Sequence, residues 1–121
     1  MQSLLSITRA IDNESRLRIL LSLRDGELCL CQIVDFLELA PSTVSRHVDL
    51  LRQSGLIEMR KEGRWHFYRL VGRSASPVVR DAIRWVLRSL QEDPAVQADE
   101  TRIRKLREIA PEELTACYAR D

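Results

Sequence analysis

Pro41-Ser42-Thr43-Val44-Ser45-Arg46-His47-Val48-Asp49-Leu50-Leu51-Arg52-Gln53-Ser54-Gly55 runs directly into Leu56-Ile57-Glu58-Met59-Arg60-Lys61-Glu62-Gly63-Arg64-Trp65-His66-Phe67-Tyr68-Arg69-Leu70-Val71. The first stretch has a helical period. Val44, Val48 and Leu51 form one apolar stripe, and Ser42, Ser45, Arg46, Asp49 and Gln53 fall on the opposite side. Ala40-Pro41-Ser42 before it and Gly55 after it bound a helix over 42–53, with Ser42 as the natural N-cap. In the second stretch the period drops to two. Ile57, Met59 and Lys61 alternate against Glu58 and Arg60, Glu62-Gly63-Arg64 makes a tight turn, and Trp65 to Val71 is aromatic and β-rich.

The flanking sequence is helical. Leu4, Ile7, Thr8 and Ile11 predict a short helix over about 3–11. Asp12 or Asn13 caps a second helix, which carries Leu17, Leu20, Leu21 and Arg24 and ends at Gly26. A third helix from Cys29 to Leu39 places Leu30, Ile33, Val34 and Leu37 on one face. After the hairpin, Pro77 opens a helix to about Leu90 with Val79, Ala82, Ile83, Val86 and Leu90 as its stripe. Val78, Trp85 and Leu87 lie off that stripe, so this helix is expected to pack on its own domain and on a second subunit. Pro94 breaks the pattern. Ile103, Leu106 and Ile109 suggest a short helix, and Pro111-Glu112-Glu113 starts a last one that reaches Cys117 and Tyr118. The expected fold is mainly α with a small β-hairpin, a winged helix-turn-helix over residues 1–92 with a helical extension, 93–121, that carries Cys117.

The chain has 121 residues, of which 45% are hydrophobic and 31% charged. One domain with a real core is expected, with no need of a disulfide framework. No run approaches about 18 uncharged apolar residues, and MQSLLSITRAIDNESR has no basic region followed by an apolar one. A cytosolic protein without a membrane partner is therefore expected. The net charge is +1, unevenly spread. Residues 42–73 carry seven basic and three acidic side chains, while residues 91–121 carry five and eight. A polyanion would be met in the middle of the chain.

The polar side of the 42–53 helix is short and suited to base-edge and phosphate hydrogen bonds. Ser42, Ser45 and Arg46 lie on it, with Thr43 beside them near the helix start, where N–H groups favour a phosphate. Arg60, Lys61 and Arg64 at the hairpin tip suit backbone or minor-groove contact. His47 borders the apolar stripe and is expected to be partly buried and hydrogen-bonded at the edge of this DNA-facing set. His66 is expected to pack among aromatics. The three cysteines, Cys29, Cys31 and Cys117, are an odd number, which favours metal, metalloid or redox chemistry over a structural disulfide.

Glu27-Leu28-Cys29-Leu30-Cys31, Ser42-Thr43-Val44-Ser45-Arg46-His47-Val48, Leu50-Leu51-Arg52-Gln53-Ser54-Gly55-Leu56-Ile57 and Glu62-Gly63-Arg64-Trp65-His66-Phe67-Tyr68-Arg69-Leu70 stand in this order, after Asn13-Glu14-Ser15-Arg16-Leu17-Arg18-Ile19-Leu20. Together they resemble the ArsR/SmtB family over about residues 5–92. The resemblance implies a homodimeric winged-helix repressor that binds palindromic double-stranded operator DNA and releases it when an inducer binds. It also implies a dimer interface built from the first helix and the helix from Pro77.

Two kinds of inducer site follow from the same resemblance. One uses histidines and carboxylates on the helix at 77–90, where this chain has Asp81 but no histidine. The other uses thiolates at the start of the third helix, where Cys29-Leu30-Cys31 resembles the Cys-Val-Cys element of arsenical-resistance repressors. The third cysteine that many of them place three residues later is Val34 here, so Cys117 is the candidate third sulfur. As(III) and Sb(III) are soft, thiophilic and satisfied by three sulfurs in pyramidal geometry. Thiols at i and i+2 lie about 200° apart on an ideal helix, so chelation must occur in a non-helical start of the third helix or must unwind it. Thiolate formation at a helix N-terminus is favoured, with Glu27 opposing it. The expected inducer is As(III) or Sb(III), with no permanent cofactor. Alternatives are a redox or persulfide switch, or Cd(II) or Pb(II) sensing by the same thiols. A thiol enzyme such as an arsenate reductase is not expected, because no glycine-rich or N–H cradle surrounds any of the cysteines.

Overall fold

A computed structural model describes residues 1–114. The elements run α1 (Gln2–Ile11), α2 (Glu14–Ser22), β1 (Leu28–Cys29), α3 (Leu30–Leu37), α4 (Pro41–Gln53), β2 (Ile57–Glu62), β3 (Trp65–Leu70), α5 (Pro77–Leu90) and α6 (Pro94–Arg107), followed by a 3-10 turn at Pro111–Glu113. The winged helix-turn-helix reading holds. Helices α3 and α4 pack on each other, α4 leads into the β2–β3 hairpin, and α1 and α2 close the core behind α4.

Local chemistry sets the boundaries. The Asn13 side chain accepts from Arg16 N at 3.1 Å and caps α2. That cap satisfies one of the first-turn N–H groups that a helix leaves without partners. Glu38 ends α3 in the left-handed conformation, φ 55°. Ser42 is not the cap of α4. Ala40 takes that place and Pro41 is the first helical residue, because proline's fixed φ suits a position whose N–H has no helical partner. The hairpin pairs Ile57 with Leu70 through to Glu62 with Trp65, leaving Gly63-Arg64 as the loop. Gly63 has φ +59° and Arg64 does not share the positive sign, as in a type II′ turn.

Two elements depart from the expectation. The third helix begins at Leu30, and Leu28–Cys29 instead forms a two-residue strand antiparallel to β3, with Leu28 opposite Tyr68 and Cys29 opposite Phe67. The sheet order is β1-β3-β2, so the wing is anchored on three strands rather than two. The second is Pro94, which opens a helix rather than only breaking one. The Asp93 carboxylate accepts from Ala95 N at 2.9 Å and caps α6. The expected extension thus begins with a 14-residue helix whose Val96, Ile103 and Leu106 join the common core against α2 and α3.

The core centres on Ile19, Leu20, Leu28, Ile33, Val44, Val48, Leu51 and Leu56, all essentially buried. Val44, Val48 and Leu51 are the stripe read from the sequence, and they lock the orientation of α4. Leu51→Ala, which removes a fully buried side chain from this stripe, is expected to cost about 2–5 kcal/mol. Urea denaturation of the variant beside the native chain measures this.

Candidate nucleic-acid interface and cysteine segment

The polar side of α4 faces outward. Ser42, Arg46, Asp49 and Gln53 are exposed, and Thr43, Ser45 and His47 are half-buried. Arg46 has no ion-pair partner among the described residues and is available to a phosphate or a base edge. At the wing, Lys61 is exposed and Arg64 lies over the Trp65 ring, 5.1 Å from its centroid. Arg60 is placed differently. Its Nη2 donates to Glu27 Oε1 at 2.5 Å, its Nε reaches Glu27 Oε2 at 3.0 Å, and its guanidinium stacks 4.4 Å from the Phe67 centroid. Arg60 therefore braces the wing against the loop before β1, and its hydrogen bonds hold the Glu27 carboxyl below its ordinary range.

His47 is hydrogen-bonded, as its position at the stripe's edge suggested. Arg16 Nη1 lies 3.1 Å from His47 Nδ1, which makes Nδ1 the acceptor in that contact. The same guanidinium donates from Nε to Ala10 O at 2.7 Å and from Nη2 to Arg9 O at 3.1 Å. Arg16 thus ties the end of α1 to the exposed-face helix α4. Sequence reasoning quoted Arg16 only as part of a motif. Its signal was an arginine at the third position after a capping asparagine, where the side chain reaches back over the preceding helix.

The cysteines sit where strand becomes helix. Cys29 is fully buried and has extended backbone, φ −82° and ψ 160°. It is the N-cap of α3 in a capping box, its sulfur facing the Gln32 N–H while Gln32 Oε1 accepts from Cys29 N at 2.8 Å. Burial pushes the Cys29 thiol up, and backbone N–H groups of Gln32 and Cys31 only partly oppose this. The helix start therefore does not make Cys29 acidic as the sequence suggested, because loss of water outweighs the N–H groups. Cys31 is buried in the first turn of α3, and Cys29 is a free thiol. The extended backbone at Cys29 meets the requirement for a non-helical start. Cys117 lies outside the described residues. Among the described residues no group of three histidine, cysteine or carboxylate side chains stands ready for a metal ion.

The model of the family described as bacterial regulatory protein, arsR family, matches residues 13–59, from the α2 cap to mid-β2. The structure of HlyU from Vibrio cholerae aligns at 34% identity with a TM-score of 0.63, covering 75% of this chain and 95% of that one. This chain belongs to the arsR family. The arsenical resistance operon repressor of Escherichia coli is 42% identical over 67 residues, 54% of this chain and 57% of that repressor. A homodimeric winged helix-turn-helix DNA-binding domain from Mycobacterium bovis aligns at 29% identity with a TM-score of 0.61, over 83% of this chain and 82% of that one. As an arsR-family protein the chain is a DNA-binding transcriptional regulator and not an enzyme. No helix among the described residues is long and apolar enough to cross a membrane.

Burial, then Arg16, then Arg46 push the His47 pKa below its ordinary 6.5. The unfolded chain therefore takes up this proton at a higher pH than the folded one. The Arg16–His47 contribution is present above about pH 6.5 and is lost as pH falls through the lower folded value. A urea midpoint measured from pH 8 to pH 5 should fall in the native chain, and His47→Gln should flatten that part of the profile.

Proposed function

We propose that the protein is a homodimeric repressor that grips a palindromic operator with α4 and the wing and releases it when As(III) or Sb(III) binds Cys29, Cys31 and Cys117. The observation that carries this reading is the position of Cys29. Its backbone is extended at the strand-to-helix junction, so Cys29 and Cys31 are not held on opposite sides of one helix. The arsenical resistance repressor relative points to the same inducer. In the reduced protein, arsenous acid exchanges three hydroxyls for three thiols and releases three waters. Capture of the Cys29 sulfur costs the cap with Gln32 and shifts a segment that pairs with β3 and continues into α3. Both DNA-facing elements adjoin it, and a coupling of about 1–3 kcal/mol is enough for a useful switch.

Ser42, Thr43, Ser45, Arg46, Lys61 and Arg64 are the proposed DNA contacts. His47 orients α4 at their edge, and Arg60 supports the wing. The dimer is proposed to form through α1 and α5, where Leu4, Leu5, Val78 and Trp85 are exposed apolar side chains. A second reading, a thiol-redox switch, rests on the buried cysteine pair Cys29 and Cys31 and predicts release by oxidant rather than by arsenite.

Fluorescence anisotropy on DNA from upstream of the protein's own gene separates the two. Arsenite should release the reduced, anaerobic protein at about one equivalent per subunit, the amount a single three-thiolate site takes up. Cys29→Ser and Cys31→Ser should bind DNA and not respond. Cys117→Ser should respond weakly, and a full response there would reduce the site to two sulfurs. Release by mild oxidant alone would establish the redox reading. Arg46→Ala should weaken operator binding by about 1–3 kcal/mol without changing arsenite uptake. Trp85→Asp should shift the protein from dimer to monomer in light scattering, with loss of operator affinity.

A further inference from the structure

The family match ends at residue 59, yet the end of α6, beyond it, is hydrogen-bonded to the cysteine segment. Gln32 is buried and uses both ends of its amide. Its Oε1 takes the Cys29 N–H at 2.8 Å, and its Nε2 donates to Leu106 O at 3.5 Å. Leu106 O, at the end of α6, also accepts from Ile109 N at 3.1 Å, so the Gln32 bond shares that acceptor. One residue on, Arg107 Nη1 donates to Glu27 O at 3.0 Å and Nη2 to Gly26 O at 3.2 Å. Gly26 takes φ +138°, a backbone conformation that side chains rarely adopt, and an added Cβ would meet Arg107 Nη1 at an ordinary contact distance of 3.5 Å. The segment 26–32, with Cys29 fully buried inside it, is therefore held at both ends by a single helical turn.

We propose that the last turn of α6 is a latch over the cysteine segment, with Arg107 and Gln32 as its positioning residues. Cys29 reacts only in the minor population in which the segment opens, and opening breaks the Arg107 bonds on one side and the Gln32 bridge on the other. The rest of α6 docks by other means. Arg18 holds Asp99 through two bonds of 2.7 Å, and Arg102 holds Asp35 at 2.6 Å, so a weakened latch leaves the helix in place. The latch governs access whichever ligand the thiols take. Its bearing on induction rests on the reading above.

The test is the rate at which iodoacetamide labels Cys29 in the reduced full chain, read by peptide mass spectrometry beside a urea midpoint for each variant. Arg107→Ala and Gln32→Leu should each speed labelling about tenfold, as expected for losing roughly one to two hydrogen bonds from the closed state. Arg107→Lys should restore most of the protection, and Arg102→Ala should leave the rate unchanged. Gly26→Ala, which strains the loop at its positive φ, should also speed labelling and carries the test if Gln32→Leu does not fold. Equal acceleration in Arg102→Ala, acceleration that tracks the urea midpoint, or none in Arg107→Ala would overturn the latch. With the latch weakened, arsenite should release the operator at lower concentration. Labelling that behaves as described in a native chain indifferent to arsenite overturns the inducer reading and leaves the latch standing.

Discussion

Cys29 is held from two directions, and most of the DNA-facing geometry follows from how. Its backbone pairs with Phe67 in the central strand, and its side chain and N–H close the cap that starts α3. A strand residue and a helix cap have compatible extended φ and ψ, so one residue serves both without strain. The sheet is thereby joined to α3 with no intervening loop. β3 carries the wing through its pairing with β2, and α3 carries α4 through their packed faces.

A second tie works at the middle of α4, through His47. Arg16 spends its guanidinium on two carbonyls of α1 and on His47 of α4. The carbonyls belong to the end of α1, where helical acceptors lack partners, so a cation is well placed there. The exposed-face helix is therefore positioned from both sides. Arg16 fixes it to the N-terminal helix, and the buried stripe Val44, Val48 and Leu51 fixes it to the core. Rigid placement of this kind suits a surface that must present several short polar side chains together.

Much of this was legible in the residues. The stripe of α4, the Gly63 turn, the Asn13 cap and the shift from helical to strand period are local patterns, and each formed where it was read. What escaped was non-local or short. Two residues, Leu28 and Cys29, cannot show a period, and their strand exists only because β3 offers an edge. Pro94 reads as a breaker until Asp93 is seen to cap the helix that Pro94 opens. Ser42 lost the cap to Ala40 because Pro41 claims the first helical position. At the site, the half-buried His47 followed from its place on the helix. Its partner Arg16, Arg60's preference for Glu27, and the buried, less acidic Cys29 needed the packed structure.

Several basic side chains of the 42–73 stretch already hold carboxylates. Arg52 lies beside Asp49, Arg60 beside Glu27 and Glu62, and Arg69 beside Glu58. A cation that arrives with its own carboxylate displaces few counterions from a duplex. Arg46 and Lys61 have no such companion among the described residues. The effective valence of the surface is therefore smaller than its sequence charge. Its grip on arbitrary DNA should be weak and shallow in salt, so that discrimination rests on fit rather than on bulk attraction.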